Sequence, residues 1–152
     1  MVKTIKRLAE KLKKNHPRLP ICILGDSLYA CALVFQICKE NEWSFLLRFK
    51  DGSIPTLAKE YQTIVGMGEN EGKMIEEERI YKRKVRENVK NDMKWVSELY
   101  HEGHNVTVME LKIEMDGRPA GNFQWITGLS IIGKAAWEFV QTGRKRWKIE
   151  NE

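Results

Sequence analysis

The chain has 152 residues, and its 42% apolar content is enough to bury one hydrophobic core, so a single domain is expected. Its 26 lysine and arginine residues outnumber 21 acidic ones, and the resulting charge of +5 favours an anionic partner, nucleic acid first. No apolar segment approaches the roughly 18 residues of a membrane span, and the N-terminus does not resemble a signal peptide. The three cysteines lie in apolar segments without Cys-x-x-Cys spacing, which is typical of reduced thiols. We therefore expect a cytoplasmic protein with no membrane partner.

The first part of the sequence predicts alternating helices and strands. Apolar residues at helical spacing predict an amphipathic helix at residues 2–12. An unbroken apolar run predicts a strand covered on both faces at 21–24, and a segment that is apolar nearly all round predicts a buried helix at 29–40. Residues 43–49 predict a second strand, and Ser53 is placed to cap a third helix. This helix-strand-helix-strand-helix order predicts an α/β fold with parallel pairing of the two strands.

The second part of the sequence is more varied in pattern. Residues 68–94 are dense in charge, and apolar residues such as Val85 and Val89 are compatible with either a helix or a strand. Residues 106–115 alternate between apolar and polar side chains, which predicts a half-buried strand, and 123–126 predict another. A final helix is predicted from about residue 134 to the end of the chain.

Two carboxylates occupy positions that are suited to metal-dependent chemistry. Asp26 directly follows the strand at 21–24, where open α/β sheets bind their ligands, although an aspartate there can equally cap a helix or turn. Glu150 belongs to the final helix and can instead form an ordinary ion pair with Arg146. One stripe of that helix is formed by Phe139, Gly143, Arg146 and Glu150. If Asp26 and Glu150 converge at one sheet edge, their oxygens suit Mg²⁺ or Mn²⁺.

The segments around these carboxylates resemble the DDE transposases of bacterial insertion sequences, which have the ribonuclease H-like fold. Leu24-Gly-Asp-Ser-Leu-Tyr29 resembles the strand end that carries the family's second catalytic aspartate, and Trp43-Ser-Phe-Leu-Leu-Arg-Phe-Lys50 resembles the next core strand. Trp125-Ile-Thr-Gly-Leu-Ser-Ile131 followed by Gly143-Arg-Lys-Arg-Trp-Lys-Ile-Glu150 resembles the segment with the catalytic glutamate. The 124 positions between Asp26 and Glu150 fit the subgroup with a β-rich insertion before the catalytic helix. Residues 1–152 would then be one partial ribonuclease H-like catalytic domain, with residues from about 66 to 123 as the insertion.

The resemblance implies a role for particular residues. Asp26 and Glu150 would be catalytic ligands of Mg²⁺ or Mn²⁺ in an enzyme that cleaves transposon ends and transfers them to target DNA. The resemblance also implies a bacterial protein that associates with the nucleoid. Arg146 would hold a DNA phosphate beside the metal. Further DNA contacts are expected from the basic residues of the last helix and of the charged segment, which are Arg144, Lys148, Lys82, Arg83 and Lys84. The charged segment can also be merely a solvated face. Trp125 would stack on a flipped base, as in some hairpin-forming members, or serve as a core residue.

The sequence departs from the family pattern at three points. Gly143 stands where the family has a tyrosine, the expected lysine would fall beyond Glu152, and no aspartate precedes Asp26. We therefore expect a transposase fragment that is inactive by itself, because a two-metal site normally fails when one carboxylate is missing. The apolar strand at 21–24 would lack a neighbour, so self-association is expected. The alternative is a non-catalytic basic α/β module that binds DNA or a protein partner.

Overall fold

The computed structural model describes the backbone of residues 2–68 and 72–151, with side chains for residues 3–68 and 72–145. Over these residues the chain forms four α-helices, six β-strands and one 3-10 turn at Ser27–Tyr29. The helices are α1 (Val2–Asn15), α2 (Ala32–Asn41), α3 (Pro55–Gly66) and α4 (Ala135–Asn151). The strands are β1 (Cys22–Gly25), β2 (Ser44–Phe49), β3 (Gly72–Lys82), β4 (Val85–His101), β5 (His104–Met115) and β6 (Arg118–Thr127). None of the described helices is long and apolar enough to cross a membrane.

All six strands belong to one sheet, in the order β1-β2-β6-β5-β4-β3. Only β1 and β2 are parallel, as the alternation of helices and strands predicts, and every other neighbouring pair is antiparallel. Strands β3 to β6 follow one another through two-residue turns, so they form a local antiparallel meander. The fold is therefore mixed α/β with a mostly antiparallel sheet.

The helices cover opposite faces of the sheet. Alternate side chains of β2 point to opposite faces, so Phe45 and Leu47 pack with α1, α2 and α3, while Leu46 packs with α4. Two hydrophobic clusters result, one under the three N-terminal helices and one under α4. The cluster under α4 consists of Leu46, Met93, Trp95, Met109, Leu111, Trp125, Ile131, Ala136 and Val140.

The charged segment at 68–94, for which the sequence allows either a helix or a strand, forms β3 and the first part of β4 where it is described. Met93 and Val89 are buried on one face of β4, while Lys90 and Asp92 point to the other. Residues four apart share a face in a strand as well as in a helix, which is why spacing alone cannot distinguish the two. The antiparallel partners β3 and β5 complete the strand pairing.

The strand predicted at residues 21–24 forms as β1, and its expected cover on both faces is only partial, since Ile23 packs against one hydrophobic cluster and Leu24 against the other. β1 lies at the edge of the sheet, and among the described strands only β2 pairs with it. Cys22 is exposed, and Ile23 and Leu24 are only partly buried. The apolar run therefore marks a strand whose inner neighbour is β2 and whose outer edge is open in the described structure.

Two helix starts also differ from their predictions. Ile54, and not Ser53, is the N-cap residue of α3 and makes no side-chain capping bond, while Pro55 occupies the first turn. Tyr29 belongs to the 3-10 turn, so α2 begins only at Ala32. The turn takes up the residues between β1 and α2 and positions the backbone that follows Asp26.

The burial of the thiols predicts an order of reactivity. Cys38 is fully buried, and burial raises its pKa to about 12, so almost no reactive thiolate forms at neutral pH. Partial burial raises the pKa of Cys22 as well, but its side chain on β1 is exposed and accessible to a reagent. We expect iodoacetamide to alkylate Cys22 well before Cys38 in the native chain, as followed by peptide mass spectrometry. Denaturation in urea should remove the difference, and equal native rates would contradict the packing of α2.

Candidate active site

Asp26 lies at the carboxyl end of β1, immediately beyond the parallel pair that β1 forms with β2. Its backbone is extended, and its Oδ1 accepts a hydrogen bond of 2.7 Å from the Ser27 amide. Asp26 is thereby the N-cap of the 3-10 turn, and its carbonyl accepts from the Tyr29 amide at 2.9 Å. Both sequence interpretations of Asp26, a strand-end carboxylate and a turn cap, describe the same position in the fold.

Gly25 allows the chain to turn closely against β2 at this point. A Cβ atom on Gly25 would lie 2.7 Å from Cδ2 of Leu47 and 3.4 Å from the Tyr29 side chain. Because Gly25 has no side chain, the 3-10 turn packs directly over the second strand. The carboxylate of Asp26 is therefore held near the end of β2.

Arg48 is the cation nearest in strand register to Asp26, and the sequence motifs do not single it out. Gly25 is paired with Leu47, so Arg48 lies opposite the position of Asp26 at the end of the parallel pair. Burial lowers the pKa of Arg48, and the negative charge of Asp26 raises it in opposition. A sequence signal exists, because Arg48 is the single charged residue at 43–49, where the other residues except Ser44 are apolar.

Two aromatic rings of β6 support the Arg48 guanidinium. Its Cζ lies 4.5 Å from the ring centroid of Phe123 and 5.6 Å from that of Trp125. The two rings are themselves nearly parallel, with centroids 6.0 Å apart and an interplanar angle of 14°. The arginine is thus fixed by packing as well as by charge, which restricts the direction in which its donors point.

Helix α4 crosses the same face of the sheet and contacts both β1 and β2. Ala136 and Val140 of this helix are fully buried against the sheet. At Gly143 the helix lies directly on Trp125, since a Cβ there would be 2.6 Å from the indole Nε1. The indole fills the space that a side chain at position 143 would need, which is a steric reason for glycine at this position of α4.

Trp125 is buried, with 4% of its surface exposed. It packs between Gly143 of α4 and the Arg48 guanidinium, beside the ring of Phe123. This is the environment of a core tryptophan, and stacking on a DNA base would require the indole to be uncovered. Of the two interpretations of Trp125, the packing fits the core role.

The basic residues and the glutamate expected on α4 are only partly described. Arg144 is exposed on the helix surface. Arg146, Lys148 and Glu150 belong to α4, but their side chains lie outside the described residues. Within the part of the chain that the structure describes, no group of three or more potential metal ligands comes together.

The cationic residues expected in the charged segment lie far from Asp26 in the sheet. Lys82 ends β3, and Arg83 and Lys84 form the turn to β4. β3 and β1 are the two opposite edges of the six-stranded sheet. The structure therefore brings Arg48, Trp125 and α4 to the strand end of Asp26, and places Lys82, Arg83 and Lys84 elsewhere.

Comparisons with protein families and with curated proteins were made for the whole sequence. No protein-family model matches the sequence, and no curated protein is significantly similar to it. The resemblance to DDE transposases therefore depends on the sequence motifs around Asp26 and Glu150 alone.

The close contact between α4 and β6 predicts the effect of adding a side chain at Gly143. Gly143→Ala should lower the free energy of unfolding by about 1–3 kcal/mol, because the new methyl overlaps the indole of Trp125. Urea denaturation followed by tryptophan fluorescence measures both the loss and the displaced indole.

Gly66→Ala is the matched control for this variant. Gly66 is also helical, and nothing lies within 4 Å of an added Cβ, so alanine should be neutral or stabilising by up to about 1 kcal/mol. If Gly143→Ala stabilises the chain as Gly66→Ala does, α4 does not lie on Trp125 as described.

Proposed function

We propose that this chain is part of a DDE-type transposase that cleaves and joins DNA with a divalent metal ion. The observation that carries the proposal is the juxtaposition at one strand end. Asp26 follows a parallel strand beside Arg48, and α4, the helix to which Glu150 belongs, packs across the same face and contacts the same two strands. Open α/β sheets bind ligands at such carboxyl ends.

The arrangement of elements supports a partial ribonuclease H-like core in this proposal. Helices α1 to α3 with the parallel strands β1 and β2 would form the core, and α4 would be the catalytic helix on its other face. The proposed insertion at residues 66–123 corresponds to β3, β4, β5 and the first half of β6, which are all antiparallel. The second half of β6 pairs with β2 and would join the insertion to the core.

The carboxylates of this proposal fit a Mg²⁺ or Mn²⁺ ion in type but not in number, and only that of Asp26 lies among the described side chains. The Asp26 carboxylate is a hard oxygen donor at the strand end, and Glu150 would supply the second one. The sequence has no aspartate before Asp26 for a third. A bound ion would activate the attacking oxygen and stabilise the leaving oxygen of a phosphodiester. With an incomplete set of carboxylates, this chain alone would be inactive.

Arg48 would bind and orient the DNA phosphate in this site. Its planar guanidinium suits two phosphate oxygens, and stacking on Phe123 keeps the side chain ordered before DNA binds. Arg144, Arg146 and Lys148 on α4 would contact phosphates of transposon-end or target DNA. Trp125 would act indirectly, because it supports both Arg48 and α4.

A second candidate function is a non-catalytic basic module that binds DNA or a protein. The hydrogen bond from the Ser27 amide to Asp26 favours it, because capping a 3-10 turn is sufficient reason for an aspartate at this position. Metal binding distinguishes the two candidates, since only the transposase proposal requires Asp26 to hold an ion.

The proposal predicts that Mn²⁺ binding depends on Asp26 and Glu150. Asp26→Asn keeps an oxygen that accepts from the Ser27 amide, so the fold should survive while the ion loses an anionic ligand. We expect at least about tenfold weaker Mn²⁺ binding in Asp26→Asn and in Glu150→Gln, as each removes one carboxylate charge. Electron paramagnetic resonance of free Mn²⁺, titrated into the full chain, measures this.

Glu60→Gln is the control, because Glu60 is an exposed carboxylate on α3, away from β1. It should leave Mn²⁺ binding unchanged. Absence of Mn²⁺ binding by the wild-type chain, or an equal affinity in Asp26→Asn and Glu60→Gln, would contradict the metal site and favour the non-catalytic module.

A further inference from the structure

The hairpin of β3 and β4 extends beyond the neighbouring strand. β4 pairs with β5 only as far as Val89, opposite Met115, while its pairing with β3 continues to Val85, opposite Lys82. Residues 79–88 therefore form a two-stranded arm with no strand beside it in the described sheet. The Asp116 carboxylate accepts a hydrogen bond from the Asn88 amide at 3.0 Å, which holds the base of this arm.

The arm is exposed and strongly cationic. Residues 79–86 are all exposed, including Tyr81 at 73%. Of its ten residues one is acidic, Glu87, and the five cations are Arg79, Lys82, Arg83, Lys84 and Arg86. None of these cations forms a salt bridge with any described carboxylate. Such a concentration of cations outside salt bridges favours the binding of an anionic partner.

The turn of the arm places two cations at its tip at a cost in stability. Arg83 and Lys84 have φ values of 50° and 69°, the left-handed conformation that a type I′ two-residue turn requires at both positions. Asn-Gly is the preferred pair there, because other residues lose about 1–2 kcal/mol each in this conformation. The sequence has two long cationic side chains at this turn in place of the favoured ones.

The two faces of the arm differ in chemistry. Strand pairing places Tyr81 opposite Arg86 and Arg79 opposite Asn88, all on the face away from α4. The face on the α4 side has Ile80, Lys82, Val85 and Glu87. The first face thus carries only side chains that hydrogen-bond to base edges and phosphates or pack against them.

We infer that this arm enters the major groove of duplex DNA. A two-stranded β-ribbon fits the major groove, which is about 12 Å wide. Arg83 and Lys84 at the tip would contact phosphates, and the face with Arg79 and Arg86 would meet the base edges. The inference rests on the proposed function in taking DNA as the ligand. It specifies how the DNA contacts expected of Lys82, Arg83 and Lys84 would be made, at the sheet edge opposite to Asp26.

The tip is tested by a variant that removes charge and keeps the turn. Arg83→Asn/Lys84→Gly replaces the tip with the preferred type I′ pair, so the hairpin should be at least as stable. Fluorescence anisotropy with a labelled mixed-sequence duplex, without divalent metal, measures binding by the full chain from about 50 to 200 mM salt. We expect the slope of log K against log salt to become less steep by about 1.8, or 0.9 for each lost phosphate contact.

Two further variants separate groove entry from general charge attraction. Lys6→Gln/Lys11→Gln removes the same charge from the exposed face of α1 and should leave the salt slope unchanged. Tyr81→Ala removes no charge, so it should weaken duplex binding roughly tenfold without changing the slope. The inference would be overturned if the slope of log K against log salt became less steep in the α1 variant by as much as in the tip variant.

The probes decide which anionic partner the arm fits. The inference would also be overturned if the chain bound a single strand of the same sequence, or phosphatidylserine vesicles, more tightly than the duplex and if that binding depended on Tyr81. If the wild-type chain binds duplex DNA and the arm variants bind it equally well, the inference about the arm is wrong, while the proposed function is not affected. The Mn²⁺ measurement on Asp26→Asn tests that function separately.

Discussion

The antiparallel pairing of β2 with β6 is the constraint on which the rest of the structure depends. It joins a parallel α/β part, built from the first 66 residues, to an antiparallel meander, so that one continuous sheet forms. The buried hydroxyl of Thr127 strengthens this junction, since it donates to the Phe45 carbonyl at 2.7 Å and accepts from the Leu129 amide at 3.1 Å. Without this pairing, neither hydrophobic cluster would have its full set of strands.

The same pairing assembles the candidate site. It places Arg48 of β2 opposite Trp125 of β6, so the guanidinium lies on rings that come from the far part of the sequence. Trp125 in turn sets the position of α4, because the helix approaches it at Gly143 without an intervening side chain. Asp26 completes the group from the end of β1. Under the proposed function, glycine at position 143 would let the catalytic helix pack closely on Trp125, and no side chain at that position would contact the DNA.

The sequence predicts the local elements better than it predicts their partners. The parallel pair β1 and β2 follows from two short apolar runs separated by a helix, and β5 follows from its alternation. The structure of residues 68–94 cannot be predicted in this way, because Val89 and Met93 share a face in a helix and in a strand alike. The exposure of Cys22 depends on what packs over that face of β1, and the position of Arg48 depends on rings that lie 75 or more positions away. Such long-range contacts leave no periodic signal in either segment.

The junction of β2 and β6 also has a consequence for how the chain folds. Strands β3 to β6 are joined by two-residue turns, so their pairing closes only short loops. The hydrogen bond between Thr127 and Phe45 instead links residues 82 positions apart, and the entropy of closing so long a loop must be overcome before any contact is gained. We expect the meander to form early and its docking on β2 to limit the folding rate. The contact that brings Arg48 to its aromatic rings is then among the last to form.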